Sequence, residues 1–218
     1  MPRSIFITAT DTNAGKTWVT ASLVSQGLAS GLDIQALKPI ASGVNKHGIN
    51  EDVAELTLAQ HIAPASINYV TYQTAKAPAL AARLEGKPLS PSDLLAWLEL
   101  QQKQTDITLI EGVGGLMAPL YVDKQQTWLV SDWLQSMSDV EVMLVVPLRL
   151  GCINHALLSC EQLKRLGKPP RWLVFNDIDN HQSFAENYDM LLPALQHILA
   201  DMPEILHVPY DGAVPHIW

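Results

Sequence analysis

Apolar residues fall along this chain in short blocks separated by longer mixed stretches. Ile5-Phe6-Ile7 form the first block, and a mixed segment from Thr17 to about Ser30 follows. A brief buried run followed by a longer amphipathic segment predicts a strand and then a helix. The pattern recurs. Asp33 to Lys38 reads as a second strand stopped by Pro39, and residues 39–48 as a loop. A short amphipathic helix is expected from Val53 to Gln60, behind Asn50-Glu51-Asp52. Residues 60–89 are rich in Ala and Pro and read as irregular. Ser90-Pro91-Ser92-Asp93 starts a helix running to about Gln104, with a capping serine, a first-turn proline and an acid at the third position. Ile107 to Ile110 is a short β-branched strand ended by Glu111, and Val140 to Pro147 is apolar enough for a sheet centre. A helix from Gly151 to about Leu166, a strand Trp172 to Phe175, a helix from about Gln182 to Ala200 and a strand Ile205 to Val208 complete the reading. Strands alternating with helices of crossover length predict an open, mainly parallel α/β sheet with helices on both faces. No domain boundary or repeat interrupts residues 1–218, so one domain is expected.

The first strand–helix junction carries the clearest chemistry. It reads Ala9-Thr10-Asp11-Thr12-Asn13-Ala14-Gly15-Lys16-Thr17. A strand, a loop of small residues, Gly-Lys-Thr and a helix make a phosphate-binding loop. Backbone N–H groups of such a loop face phosphate oxygens, and the helix dipole favours an anion there. Gly15 permits close approach, Lys16 can reach the terminal phosphates, and the Thr17 hydroxyl suits Mg²⁺, which prefers oxygen. The residue five before Gly15 is Thr10 rather than the usual glycine, so the loop runs one residue longer, from Ala9. The sheet is thereby expected to be P-loop NTPase-like, with Asn13, Ala14, Gly15, Lys16 and Thr17 as nucleotide contacts.

Bulk properties narrow the class. Of 218 residues, 48% are hydrophobic and 17% charged, as in a globular protein. Fourteen basic against 22 acidic residues give a net charge of −8, which argues against a nucleic-acid-binding surface. An anionic nucleotide must then be held by local groups rather than by the global field. No apolar run approaches a membrane span, and the N-terminus enters a strand with no signal-peptide cleavage pattern. Cys152 and Cys160, eight apart on one expected helix, read as buried thiols rather than a metal site. A cytoplasmic enzyme is the simplest class.

Further candidates stand at strand ends, where open parallel sheets bind ligands. Lys38 is either a solvated lysine before a proline or a second cation near the transferred phosphate, with Ser42 close by. Asp52 is either a helix N-cap or a carboxylate near Mg²⁺. Glu111, before Gly112-Val113-Gly114-Gly115, is expected to supply a second Mg²⁺ contact, the glycines admitting phosphate. Asn176-Asp177 marks a turn or an amide that reads adenine. His155 is expected to be structural or capping rather than a catalytic base.

Together these pieces resemble the dethiobiotin synthetases, ATP-dependent enzymes of biotin synthesis. The resemblance rests on Thr10 to Thr17, KPIASG at Lys38 to Gly43, the Asp52 segment, EGVGG at Glu111 to Gly115, LGCINHA at Leu150 to Ala156 and Asn176-Asp177. It covers residues 4–210 in the family's order. It implies that Lys16 and Thr17 hold the phosphates and Mg²⁺, with Asp52 and Glu111 completing the metal site. Thr12, Lys38 and Ser42 would surround the diamine 7,8-diaminononanoate and its carbamate, and with Lys16 form the catalytic set. Gly114, Asn176 and Pro209 join the nucleotide contacts. Gly151, Cys152, Asn154 and Tyr188 would bind the substrate's distant carboxylate from the neighbouring subunit, which implies a homodimer. Three departures stand out: Ala9 where the family begins its loop with glycine, Asn13 where it often has an acid, and a chain that ends at Trp218 soon after the last strand.

Two other classes compete. A partner-regulated P-loop ATPase switch shares the layout, but such switches usually carry a second lysine inside the loop, and none lies between Ala9 and Gly15. An ATP-dependent amidotransferase of cobalamin synthesis would need a glutaminase domain, for which this chain is too short.

Overall fold

The computed structural model describes residues 3–180 and 183–218. In chain order the elements are β1 (Arg3–Ala9), α1 (Lys16–Ala29), β2 (Ile34–Leu37), β3 (Ile40–Ser42), α2 (Glu51–Gln60), α3 (Pro64–Ile67), β4 (Val70–Tyr72), α4 (Pro78–Glu85) and α5 (Pro91–Gln102). There follow β5 (Ile107–Gly115), β6 (Pro119–Val122), β7 (Thr127–Leu129), α6 (Val130–Gln135), β8 (Val140–Pro147), α7 (Cys152–Arg165), β9 (Trp172–Asn176), α8 (Phe184–Ile198) and β10 (Glu204–Val208).

Six strands form one sheet in the order β10-β9-β8-β1-β5-β2, and every pairing within it is parallel. The chain steps from β1 outward to β2 in one direction and from β8 through β9 to β10 in the other. Right-handed crossovers that run in opposite directions place their helices on opposite faces. The reversal occurs between β1 and β8, so a crevice opens at the C-terminal end of β1, where the phosphate loop begins. Ile5, Phe6 and Ile7 are fully buried, as are most of β8 and all but the edge of β9. A strand covered on both sides reads as a continuous apolar run. Trp133 of α6 meets Phe6 edge-to-face, with ring centroids 4.9 Å apart, which adds roughly 0.5–1.5 kcal/mol to the burial of both rings.

Several boundaries differ from the sequence reading. The segment after Pro39 is not all loop: β3 pairs in parallel with β4, Ser42 opposite Tyr72. Residues 60–89 are therefore not irregular throughout, since they hold α3, β4 and α4. Three-residue strands and helices headed by proline leave too short a period to read. Asp52 is not the cap of α2. That position belongs to Asn50, whose side chain accepts the Val53 N–H at 3.0 Å. Glu111 does not end β5, which continues to Gly115 alongside β1. Ser90 caps α5 as expected, accepting the Asp93 N–H at 3.3 Å. The expected start of α8 at Gln182 lies outside the described residues, and its cap is Ser183, which accepts the Glu186 N–H. After β10 no further helix forms in the described residues: the tail lies on α1, where Gln26 Nε2 donates to Val214 O at 2.8 Å. No described helix is long and apolar enough to cross a membrane.

Candidate active site

Strand β1 ends at Ala9, and the backbone then leaves the sheet through residues 10–15. Ala9 is itself a buried strand residue outside the left-handed region, a conformation that any side chain can take. Two loop residues take the left-handed region, Asn13 at φ 57° and Gly15 at φ 83°. A Cβ on Gly15 would lie 2.0 Å from Asn176 Nδ2, so the position excludes every side chain. Asn176 is 4% exposed, and its Nδ2 donates to Ala14 O at 3.0 Å. The end of β9 thus grips the phosphate loop. The glycines after Glu111 act from the other side: a Cβ on Gly115 would stand 3.3 Å from the carbonyl oxygens of both Ala9 and Thr10.

Three elements then bring charge to the first turn of α1. Lys38 follows β2 and is 2% exposed, while Glu111 in β5 is fully buried. Lys38 Nζ donates to Glu111 Oε1 at 2.5 Å and lies 2.8 Å from Asp52 Oδ2 at the start of α2. Thr17 Oγ1 donates to the same Glu111 oxygen at 2.8 Å. Burial pulls the Lys38 ammonium down, but Glu111 and Asp52 outweigh it and hold its pKa above the ordinary value. For Asp52, burial pushes the carboxyl up, and Lys38, aided by the Thr17 hydroxyl, brings it below the usual range. Lys16 has no such partner. Burial first and Lys38 second lower its pKa to about 8, and its Nζ rests 3.5 Å from Asp11 O. Its charge becomes fully favourable only when an anion enters. Buried ion pairs of this kind stabilise little on balance, but removing one member costs about 3–5 kcal/mol.

These elements enclose a cavity of about 660 Å³. It brings together Thr12, Asn13, Ala14, Gly15, Lys16, Thr17, Lys38, Ser42, Asp52, Glu111 and Gly114. Ser42 Oγ and Glu111 Oε2 are buried without hydrogen-bond partners, as groups awaiting a ligand would be. The oxygens of Thr17, Asp52 and Glu111, with that orphaned Oε2, suit Mg²⁺, which takes one or two carboxylates together with phosphate oxygens. Among the described residues, no three or more His, Cys, Asp or Glu side chains converge closely enough to hold a metal ion by themselves.

Other candidates lie elsewhere. Asn176 sits behind the loop rather than in the cavity wall, and Pro209 is exposed beyond β10. Gly151 caps α7 at φ 94° and Asn154 is exposed on its first turn, while Cys152 is buried with its Sγ 3.4 Å from Asn187 Oδ1. Tyr188 packs on Phe184 of its own helix. None of these four lines the cavity of its own chain. The structure adds wall residues that sequence reasoning missed: Glu55, Lys76 and Pro78 among them. Glu55 follows Asp52 by about one helical turn, a spacing that puts both on one face of α2 and is the signal that could have found it. Lys76 sits in the stretch that carried no readable period.

Comparison with known proteins meets this geometry from outside. A family model described as an AAA domain matches residues 3–217. The ATP-dependent dethiobiotin synthetase of Chromohalobacter salexigens is 37% identical over 220 residues, covering 97% of this chain and 89% of that protein. That of Cellvibrio japonicus is 33% identical over 99% of this chain and 90% of its own length. The Escherichia coli enzyme is 30% identical over 98% and 96%. The chain belongs to the ATP-dependent dethiobiotin synthetase family. The septum site-determining protein MinD of Pyrococcus horikoshii, solved with Mg-ADP, shares the fold of this synthetase family member at a TM-score of 0.56. It is 17% identical and covers 98% of this chain and 87% of that one.

Proposed function

We propose that the chain closes the ureido ring of dethiobiotin, joining 7,8-diaminononanoate and CO₂ at the expense of ATP, in the cytoplasm. The observation that carries this reading is the convergence of two buried lysines, Lys16 and Lys38, on one cavity beside a phosphate loop, in a chain of this family. One amine of the diamine takes up CO₂ as a carbamate. A carbamate oxygen attacks the γ-phosphate, giving a carbamic–phosphoric anhydride and ADP. The second amine then attacks the carbonyl carbon and phosphate leaves. Such chemistry asks the protein for position and charge rather than for a nucleophile.

The residues divide that task. Loop N–H groups and Lys16 hold the phosphates. Mg²⁺ arriving with ATP would be held by Thr17, Asp52 and Glu111 and would draw charge from the phosphate oxygens. Lys38 reaches both carboxylates and lines the same wall as Ser42 and Thr12, so its ammonium can neutralise carbamate and transferred phosphoryl alike. Asn176, already fixed to the loop, would read adenine, with Pro209 beside it.

Two copies are required by this reading. Gly151, Cys152, Asn154 and Tyr188 of one copy would receive the substrate carboxylate at the other's cavity. Leu150, 90% exposed next to that helix start, would lie on the face that meets the second copy. Labelled bicarbonate tests the reaction: one heavy carbon should enter each product molecule, and an unlabelled product would overturn it.

A further inference from the structure

The phosphate loop is gripped at two points, one near each end. Asn176 holds Ala14 from behind. At the opposite end of the loop, Arg149 Nη2 donates to Asp11 Oδ2 at 2.5 Å. Arg149 belongs to the connection between β8 and α7, and that connection is itself fixed. Arg149 N–H donates to Pro147 O at 2.9 Å, Leu148 N–H to Asn176 O at 2.7 Å, and Cys152 N–H returns to Arg149 O at 2.9 Å. The guanidinium therefore projects from a braced turn rather than from a free loop.

Asp11 is the hub on the other side. Its Oδ1 accepts the N–H of Thr12 at 2.7 Å, and its main-chain oxygen accepts from Lys16 Nζ at 3.5 Å. One residue thus sets both the direction of the first loop N–H and the resting place of the phosphate-binding ammonium. Between Asp11 and Ala14 stands Asn13 at φ 57°, followed by Gly15 at φ 83°. Left-handed backbone at a functional loop persists when its surroundings over-determine it. The two clasps supply that over-determination.

We propose that Arg149 is a positioning residue: by holding Asp11 it presets the phosphate loop, and with it Lys16, for the nucleotide. The inference rests on the nucleotide-binding reading of the loop and not on which acceptor the phosphoryl group reaches. The pair is exposed, so its strength is bounded. An exposed ion pair contributes up to about 1 kcal/mol, which is about fivefold in affinity.

The test is a double-mutant cycle read by ATP affinity, with Arg149→Gln, Asp11→Asn, the double variant and Arg149→Lys. Each variant is first checked for an unchanged unfolding temperature, and Arg149→Lys serves as the conservative control. Expected are an about three- to fivefold weaker ATP affinity in each single variant, a double variant no weaker than either single, and partial rescue by lysine. The diamine KM should stay within error of the parent. Additive losses in the double variant, or unchanged ATP affinity in both singles, would overturn the proposal. If ATP binds with the expected pattern but no ring closure is found with any variant, it is the synthetase reading that fails and not this one.

Discussion

Lys38 shows how much one side chain can be asked to do. It is buried, bonded to two carboxylates, and faces the cavity. Replacing it by methionine keeps the shape but leaves Glu111 without its cation. A loss of about 3 kcal/mol in stability is expected, with turnover falling by about a hundredfold or more and ATP affinity changing little. Lys16→Ala should act differently. A charge-assisted hydrogen bond is worth about 1.5–3 kcal/mol, so ATP affinity should fall by about tenfold or more. Calorimetric titration with ATP beside steady-state assay separates the two lysines, and equal losses of affinity would contradict this division. At this scale the sequence was readable where chemistry depends on neighbours in the chain. Gly15, Lys16 and Thr17 announce themselves by contiguity. Asp52 was ambiguous because a cap and a metal ligand look alike in sequence. The structure assigns the cap to Asn50, which leaves Asp52 free to face Lys38.

At the scale of elements, the long strands and helices were legible because each buries one continuous face. The short ones were not. The parallel pair β3–β4 is held by a backbone pairing across 30 residues, which no local period reveals. The α8–β10 contact is similar. Phe184 stacks on His207 with centroids 4.3 Å apart and rings 4° from parallel, and His207 Nε2 is buried without a partner. Burial lowers the His207 pKa, and Asp177 only partly opposes it. The unfolded chain therefore binds a proton more readily than the folded one. Stability is full above the unfolded value, near 6.5, and is lost as pH falls through the folded one. Thermal unfolding followed from pH 7 to pH 5 should show this loss, and His207→Gln should flatten it. An unchanged slope would exclude His207 as its source.

At the scale of the molecule, the cavity is a meeting of β1, β2, β5 and α2, none of which holds a complete site. The pairing order β1-β5-β2 puts their ends side by side, and strand order is a long-range property that the sequence pattern does not carry. The fold class was legible, since alternating strands and crossover helices permit few arrangements. The proposed carboxylate subsite is not complete within one chain: Gly151, Cys152, Asn154 and Tyr188 do not line their own cavity, and only the family resemblance pointed to them. If two copies complete the site, Leu150→Asp should shift the protein to a monomer in sedimentation, raise the diamine KM and spare ATP binding. A dimer that persists with unaltered KM would remove Leu150 from the interface.

The central claim is that phosphoryl transfer here serves ring closure. Phosphate release from Mg-ATP, followed with and without 7,8-diaminononanoate and bicarbonate and paired with mass spectrometry of the product, tests it most directly. The account predicts release only when both are present, and a product heavier than the diamine by CO₂ less one water. ATP hydrolysis indifferent to the diamine would contradict it and assign the phosphate loop to a switch.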